Sequence, residues 1–412
     1  MRWTEHDCAL LKQAWTEMSG EGSVTQFDKD LAADLKCTAR AVSTQRIRLG
    51  LVRLASKPTA VKVATAEIPQ DALADRLLEM IEEEKKRLQS AAHRKDLKKA
   101  VHDKIRVEYT AESFLAATRR IKPPAQVVLS GATRSNPEVV TIVISDVQLG
   151  SRSHQDYIRG ISKYSKTIFE QRLERFTKAV GKILVDRSKV AAIREVRVLI
   201  LGDIIDGEGI FKGQPYELDQ SVVDQVLGGF QALASAISAW SSIIPRIKVH
   251  AIPGNHGAVG YHASPRDNWE FILYKMMELQ LQDHKTVSFD IHRSPFHIVD
   301  IEGWRFFLTH GDEIKGRNPT NAAIKHDGDW RGALHSAGEK GFDYYIFGHH
   351  HRHTQIEVNG GEILINGCWP GGSSFSVGKL GLVSRPSQLV FGVSQAEGIS
   401  WRYKVDLDRF PV

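Results

Sequence analysis

The sequence predicts an α/β fold, with a core over residues 139–412 built from short buried strands and amphipathic helices, behind a small all-α stretch. Three observations predict it. Short runs rich in Val, Ile and aromatics at 139–145, 196–201, 247–252, 304–308 and 344–347 read as buried strands. Longer stretches with helical spacing, at 166–187, 221–242 and 268–282, separate the first four of them. Each of the five runs also ends in a polar cluster, and the carboxyl ends of strands are where α/β sheets present ligand-binding side chains. Strands dominate after Val287, and a closing pair is expected at 388–393 and 399–405.

In chain order the clusters are Asp146-Val147-Gln148, Gly202-Asp203-Ile204-Ile205-Asp206, Gly254-Asn255-His256, Thr309-His310-Gly311 and Gly348-His349-His350-His351. Asp and Asn favour turns, which would explain any one cluster but not five in register with five strands. What unites them is ligand chemistry. Carboxylate, amide and imidazole donors without thiolate suit Mn2+, Mg2+, Fe2+ or Zn2+.

The order Asp-x-Gln, Gly-Asp-x-x-Asp, Gly-Asn-His, His, Gly-His-x-His resembles the calcineurin-like metallophosphoesterase superfamily over roughly residues 139–369. The resemblance implies an α+β sandwich: a two-sheet core flanked by helices, with two divalent metal ions, cleaving phosphomonoesters or phosphodiesters with metal-activated water. It implies that Asp146, Gln148 and His351 hold one ion, that Asn255, His310 and His349 hold the other, and that Asp203 bridges them. His256 would lie beside the substrate phosphate. Asp203 and His256 are therefore the expected catalytic residues.

Elementary chemistry agrees with that allocation. Two cations about 3.5–4 Å apart can clamp the attacking and leaving oxygens of an in-line displacement, and their repulsion calls for a shared carboxylate. An imidazole that is not a ligand can protonate the leaving alkoxide. Two positions depart from the family. Gln148 stands where relatives have His, a neutral oxygen donor that favours Mn2+. Gly257 stands where relatives carry an acid that orients the histidine, so His256 needs its contact from elsewhere. Asp206 is expected to anchor its loop by hydrogen bonding. If 347–351 is extended, alternation turns His350 away from its neighbours.

Composition bounds the rest. An apolar fraction of 42% and a charged fraction of 25% are those of a globular protein with an ample core. No run of eighteen apolar residues exists and the start lacks a signal-type apolar stretch, so no membrane partner is expected. Cys8, Cys37 and Cys368 are odd in number and far apart, which predicts reduced thiols and a cytoplasmic setting. Cys368 is expected to be a packing residue, since metal-activated water leaves no need for a thiolate nucleophile. Residues 1–122 hold 23 Lys and Arg against 18 Asp and Glu, nearly all of the +6 net charge. A basic appendage on a neutral body points to a polyanion.

Residues 1–53 read as three short helices: one capped by Thr4 and reaching about residue 18, one near 27–35, and one capped by Thr38 and ended by Gly50. The series Trp3-Thr4-Glu5, Leu10-Leu11-Lys12, Trp15, Leu31-Ala32, Ala41-Val42, Arg48-Leu49-Gly50-Leu51 resembles the Myb-like and GcrA-like helix-turn-helix modules. The third helix and its flanks carry Lys36, Arg40, Arg46, Arg48 and Arg53 without an acid, as a groove-facing helix does. Thr44 and Gln45 are candidate base contacts beside Arg40, Arg46 and Arg48. Residues 54–138 read as a linker holding a long charged helix over 70–103, with two alternatives for its apolar side: a homodimer contact or a face resting on the catalytic core. The expected domains are thus 1–53, 54–138 and 139–412.

Among the core loops, Arg152, His154, Lys212, His262, Arg266, Lys315, Arg317, Arg352 and His353 could reach phosphate oxygens, with Arg152, His154 and Arg352 the chosen substrate contacts, since Arg binds phosphate in bidentate fashion. The opening Asp146-Val147-Gln148-Leu149-Gly150 resembles the Asp-x-His-Leu-Gly of double-strand-break repair nucleases in the superfamily, and phage-borne phosphoesterases are a related setting. The favoured function is a DNA-directed nuclease or phosphodiesterase. Two alternatives stand beside it: a phosphatase or small-molecule phosphodiesterase with the N-terminal module as a tether, and a DNA-binding regulator whose catalytic core has decayed.

Overall fold

The fold is known from a computed structural model. The structure describes residues 5–17, 28, 30–33, 38–48, 98, 105, 110, 118–127, 137–260, 263, 264, 266–315, 319–373, 376–378, 381 and 383–408. The chain divides into two compact units, Met1–Arg87 and Leu88–Val412.

In the first unit, helix α1 (Glu5–Glu17) and helix α2 (Ala39–Arg48) are formed, with residues 30–33 helical between them. Thr38 precedes α2, and its Oγ1 accepts from Ala41 N at 3.3 Å, the capping contact its side chain predicts. Leu11, Ala32 and Val42 are buried. The expected helix over 70–103 lies outside the described residues except at Lys98, which is helical and exposed.

The second unit is a four-layer sandwich. A six-stranded sheet has the order β11-β10-β1-β2-β3-β4, and a five-stranded sheet has the order β5-β6-β7-β9-β8. The strands of the first are β1 (Pro137–Ile144), β2 (Ala192–Ile200), β3 (Ile247–Ala251), β4 (Val287–Ile291), β10 (Ser387–Ser394) and β11 (Gly398–Asp406). Those of the second are β5 (Phe296–Ile301), β6 (Trp304–Thr309), β7 (Tyr344–Phe347), β8 (Thr354–Val358) and β9 (Gly361–Ile365). β1 to β4 run parallel, as do β6, β7 and β9, so within each sheet the carboxyl ends of these strands share one edge.

The period of two along a strand explains the layers. In β1 and β2, Val140, Ile142, Ile144, Val196, Val198 and Ile200 face the helices α3 (Lys166–Arg187), α4 (Val222–Ser241) and α5 (Trp269–Gln280). Their neighbours Val139, Val143 and Leu199 face the second sheet, meeting Val299, Phe306, Leu308, Ile346 and Leu364. The outer face of that sheet, with Phe307, Tyr345 and Ile363, is covered by α6 (Pro319–Ser336) through Ala323, Trp330 and Leu334. The central strands β1, β3, β7 and β10 are thus buried on both faces, which is why they read as near-continuous apolar runs.

Ser165, Ser221 and Asn268 cap α3, α4 and α5, each side chain accepting a backbone N–H of the first turn. Helix α4 is long and apolar enough to cross a membrane, yet its apolar residues pack into the core just described. Strands dominate after Val287, and helix α6, which the sequence did not mark, interrupts them. Gly328 and Gly332 lie within it, and only Ala323, Asp327 and Leu334 are buried, so its apolar stripe is too thin to read from the sequence.

Candidate metal centre

The clusters converge at the edge where the parallel strands of both sheets end. Among the described residues, five of the seven non-glycine positions with positive φ are there: Asp146 (53°), Gln148 (48°), Asp203 (54°), His349 (58°) and His351 (58°). Each turns its chain immediately past a strand, and such left-handed conformations cost energy that surrounding structure must hold in place. At Gly202, φ is 84° and an added Cβ would lie 2.2 Å from Gly254 N, so the two loops meet backbone to backbone. The strand of β7 stops at Phe347 and is not extended through His351. The positive φ values put His349 and His351 on the same side by a turn rather than by alternation, while His350 lies edge-on to Phe347 at 5.8 Å.

Asp203, fully buried, sits at the middle. Its Oδ1 accepts from His256 N at 2.9 Å, and its Oδ2 lies 3.0 Å from His310 Nε2 and 3.9 Å from His256 Nε2. The His310 contact lacks hydrogen-bond geometry, so Oδ2 is buried with no hydrogen-bond partner. Asn255 Oδ1 is likewise buried and without a partner. His310 Nδ1 donates to Leu201 O at 2.7 Å, which leaves the Nε2 lone pair pointing at the centre, 3.3 Å from His349 Nδ1. Asp203, His310 and His349 each bring one ligand atom within 4.8 Å of the others. Orphaned buried oxygens and facing imidazole nitrogens fit a divalent cation, which satisfies both at once.

A second group adjoins the first. Asp146 Oδ1 accepts from His349 N at 2.8 Å and lies 3.4 Å from His351 Nε2, which is 3.3 Å from Gln148 Nε2. A ligand role for Gln148 takes the opposite amide orientation, with Oε1 inward. Behind Asp146 stands a buried network the sequence did not reveal. Ser145 Oγ donates to Asp146 Oδ2 at 2.5 Å, and Asn366 Nδ2 donates to Ser145 Oγ at 2.9 Å and to Gln388 Oε1 at 3.0 Å. Cys368 is buried against the His351 ring, and its Sγ accepts from Gly371 N at 3.3 Å, a packing position.

The electrostatics follow from crowding. Burial disfavours charge on His310, but Asp203 more than offsets it and raises the imidazole to about 10. Burial and the His310 charge hold His349 down at about 3.

His256 is oriented by the loop that carries Asp203. Its Nδ1 lies 2.8 Å from Asp206 O and 3.0 Å from Asp206 Oδ1, so the acid missing at Gly257 comes from Asp206. Burial lowers its pKa, Asp203 and Asp206 raise it more, and the balance is about 9. Gly257 has no room for a larger residue: a Cβ there would lie 2.2 Å from Asn268 Oδ1 and 2.7 Å from Glu270 Cγ.

Glu270 is the residue that sequence reasoning missed altogether. Fully buried in the first turn of α5, it accepts from Gly254 N at 2.7 Å and from Ile204 N, tying the Asn255 loop to the Asp203 loop. Burial and the charge of Asp203 push its carboxyl up to about 7. In sequence it is one acid near a helix start, and nothing local distinguishes it from a dipole-favoured surface Glu.

Of the expected phosphate contacts, Arg152 and Arg352 are exposed, and the ring of His154 bonds Tyr216 O at 2.9 Å. A cleft of about 790 Å³ opens from Asn255 and is lined by Arg266 and by Arg293, which the sequence did not single out. In the first unit, Gln45 Nε2 is turned to Cys8 Sγ of α1 at 3.3 Å rather than outward, and Thr44 is exposed. The side chains of Arg40, Arg46 and Arg48 lie outside the described residues.

Fold and site together define a metallophosphoesterase. The calcineurin-like phosphoesterase family matches residues 140–353, more than half of the chain, and the chain belongs to that family. It is 25% identical over 203 residues to the DNA polymerase II small subunit of Archaeoglobus fulgidus, covering 49% of this chain and 35% of that protein. It is 24% identical over 220 residues to the same-named subunit of Pyrococcus furiosus, covering 53% and 30%. The chain thus spans about a third of the length of these curated relatives. Similar solved structures include an archaeal phosphodiesterase (16% identity, TM-score 0.30, 65% of this chain and 99% of that one) and Vps29 of Entamoeba histolytica (13%, 0.29, 65% and 99%).

Proposed function

We propose that this phosphoesterase is a two-metal, DNA-directed phosphodiesterase, with Mn2+ as the favoured ion. The observation that carries the reading is the convergence of Asp146, Gln148, Asp203, Asn255, His310, His349 and His351 around buried oxygens left without partners. In the proposed arrangement Asp146, Gln148 and His351 hold one ion, Asn255, His310 and His349 the other, and Asp203 both. Ions bound there supply Lewis-acid charge and make water nucleophilic near neutral pH.

The chain's own groups do the rest. His256, held at Nδ1 by Asp206, presents Nε2 to the centre and in its protonated form donates to the departing oxygen. Arg266 and Arg293 line the cleft of about 790 Å³, more volume than one phosphate fills, which suits flanking phosphates of a polynucleotide better than a monoester. The DNA preference draws further support from the basic N-terminal stretch and from relatives named as DNA polymerase subunits. The N-terminal helices, with Arg40, Thr44, Arg46 and Arg48, would hold the duplex, and domains at 1–53, 54–138 and 139–412 accompany this reading.

The test uses the full chain with Mn2+ on bis-(p-nitrophenyl) phosphate, on the monoester, and on single- and double-stranded DNA. The diester should be preferred and DNA cut, with both activities lost in Asp203→Asn and His310→Ala variants of unchanged circular dichroism. Monoester preference with DNA left intact would replace the reading by a phosphatase.

A further inference from the structure

A second cluster of ligand-type side chains lies away from the metallophosphoesterase centre, where the chain leaves one sheet for the other. Asp290 is on β4, the edge strand of the six-stranded sheet, and His297 is on β5, the edge strand of the five-stranded sheet. His292 is in the connection between them, and His250 is on the neighbouring strand β3. All three imidazoles address one carboxylate. His292 Nε2 lies 2.7 Å from Asp290 Oδ1, His297 Nε2 lies 3.2 Å from Oδ2, and His250 Nδ1 lies 3.0 Å from Oδ2. His250, Asp290 and His297 each offer a ligand atom within 4.8 Å of the others. The His292 and His297 rings stack at 3.8 Å with both Nε2 atoms toward the carboxylate.

We propose that Asp290, His292 and His297 form a separate binding site for a transition-metal ion of the Zn2+ type, with His250 as the residue that positions the carboxylate. The division of roles follows from hydrogen-bond direction. Arg197 Nη1 donates to His250 Nε2 at 3.1 Å, so the His250 proton is on Nδ1 and is given to Asp290. That ring supports a ligand in the way outer-shell partners of metal sites do. The other two imidazoles are free to turn their Nε2 lone pairs inward. Two imidazoles and a carboxylate make a three-ligand set with one position left for water.

Access and charge are compatible with this. His250 is 2% exposed, while the side chains of Asp290, His292 and His297 are 31%, 32% and 18% exposed, so an ion enters from solvent against a fixed floor. The nearby cation Arg197 is paired with Glu195 at 2.6 Å, and Lys248 is the other positive group felt by His250 and His297. An ion held here would staple the two sheets at their shared edge, a structural role independent of catalysis.

The experiment is Zn2+ binding to the EDTA-stripped full chain, counted in wild type and in the near-isosteric variant Asp290→Asn/His292→Gln, with thermal midpoints recorded with and without the ion. Wild type should bind one more equivalent than the variant, and diester hydrolysis with Mn2+ should stay within twofold in both. If the variant fails to fold when stripped, Co2+ absorption of wild type decides. Bands of a nitrogen–oxygen tetrahedral site, still present when the catalytic centre is emptied by Asp203→Asn/His310→Ala, support the proposal. Equal stoichiometry in wild type and variant, or loss of every Co2+ band with the catalytic centre, overturns it and leaves the cluster a hydrogen-bond network around Asp290.

Discussion

At the scale of single residues, the site works by holding groups in conformations they would not choose alone. His256 shows this most directly. Its Nδ1 is fixed by both the carbonyl and the carboxylate of Asp206, and its charge is supported by that acid and by Asp203. Asp206→Asn should therefore lower kcat on a diester by about 10- to 100-fold with little change in KM, the usual size for an orienting partner. The double variant Asp206→Asn/His256→Ala should be no slower than His256→Ala alone, because the two residues act as one unit. Additive losses would separate their roles. The family resemblance marked Asp203 as a candidate shared ligand, and Asp206 was expected to anchor its loop by hydrogen bonding. The spacing gave no hint that the anchor reaches across to another strand's histidine, since the two are fifty residues apart.

Among elements, the question is what keeps two loops from different strands in register. Glu270 does so from the first turn of α5, accepting amides of both. Replacing it with Ala strands buried N–H groups at about 1–3 kcal/mol each and should lower the urea midpoint. It should also weaken Mn2+ affinity, measured by titration of activity, because the loops bearing Asp203 and Asn255 would lose their tie. The edge formed by β3 and β4 carries a different liability. Burial, with Arg197 nearby, holds His250 near 3, while Asp290 pulls it upward and Lys248 and His297 push it down. The unfolded chain takes up that proton near the ordinary His value of about 6.5, so between pH 6.5 and 3 it binds more protons than the native state. Native stability must fall as pH falls through that window. In metal-free protein, wild type should lose up to about 2 kcal/mol more than His250→Asn on going from pH 7 to 5. Denaturant melts at both pH values read the difference, and equal losses would refute the assignment.

For the whole molecule, a small helical unit precedes a phosphoesterase sandwich in the chain. Arg46→Ala/Arg48→Ala should weaken DNA binding and flatten its dependence on log salt by roughly one unit per lost phosphate contact. Hydrolysis of bis-(p-nitrophenyl) phosphate should be untouched, since that substrate needs only the centre. An unchanged salt slope would remove those arginines from the interface.

The layered sandwich was legible because its central strands are covered on both faces and read as short apolar runs, and the helices α3 to α5 that cover the first sheet are striped. Helix α6 escaped because it buries so little that it has almost no stripe. The residues that converge at the strand ends were legible as candidate ligands because metal coordination demands particular side chains just past particular strands. What the sequence could not determine is which of them meet, and through whom. Contacts such as Glu270 to Gly254, Asn366 to Ser145 and three histidines to Asp290 join residues with no fixed spacing along the chain. Pairing of that kind is decided only when strand order and sheet packing bring distant backbone together, because hydrogen bonds and ligand geometry act over a few ångströms of space and not over sequence.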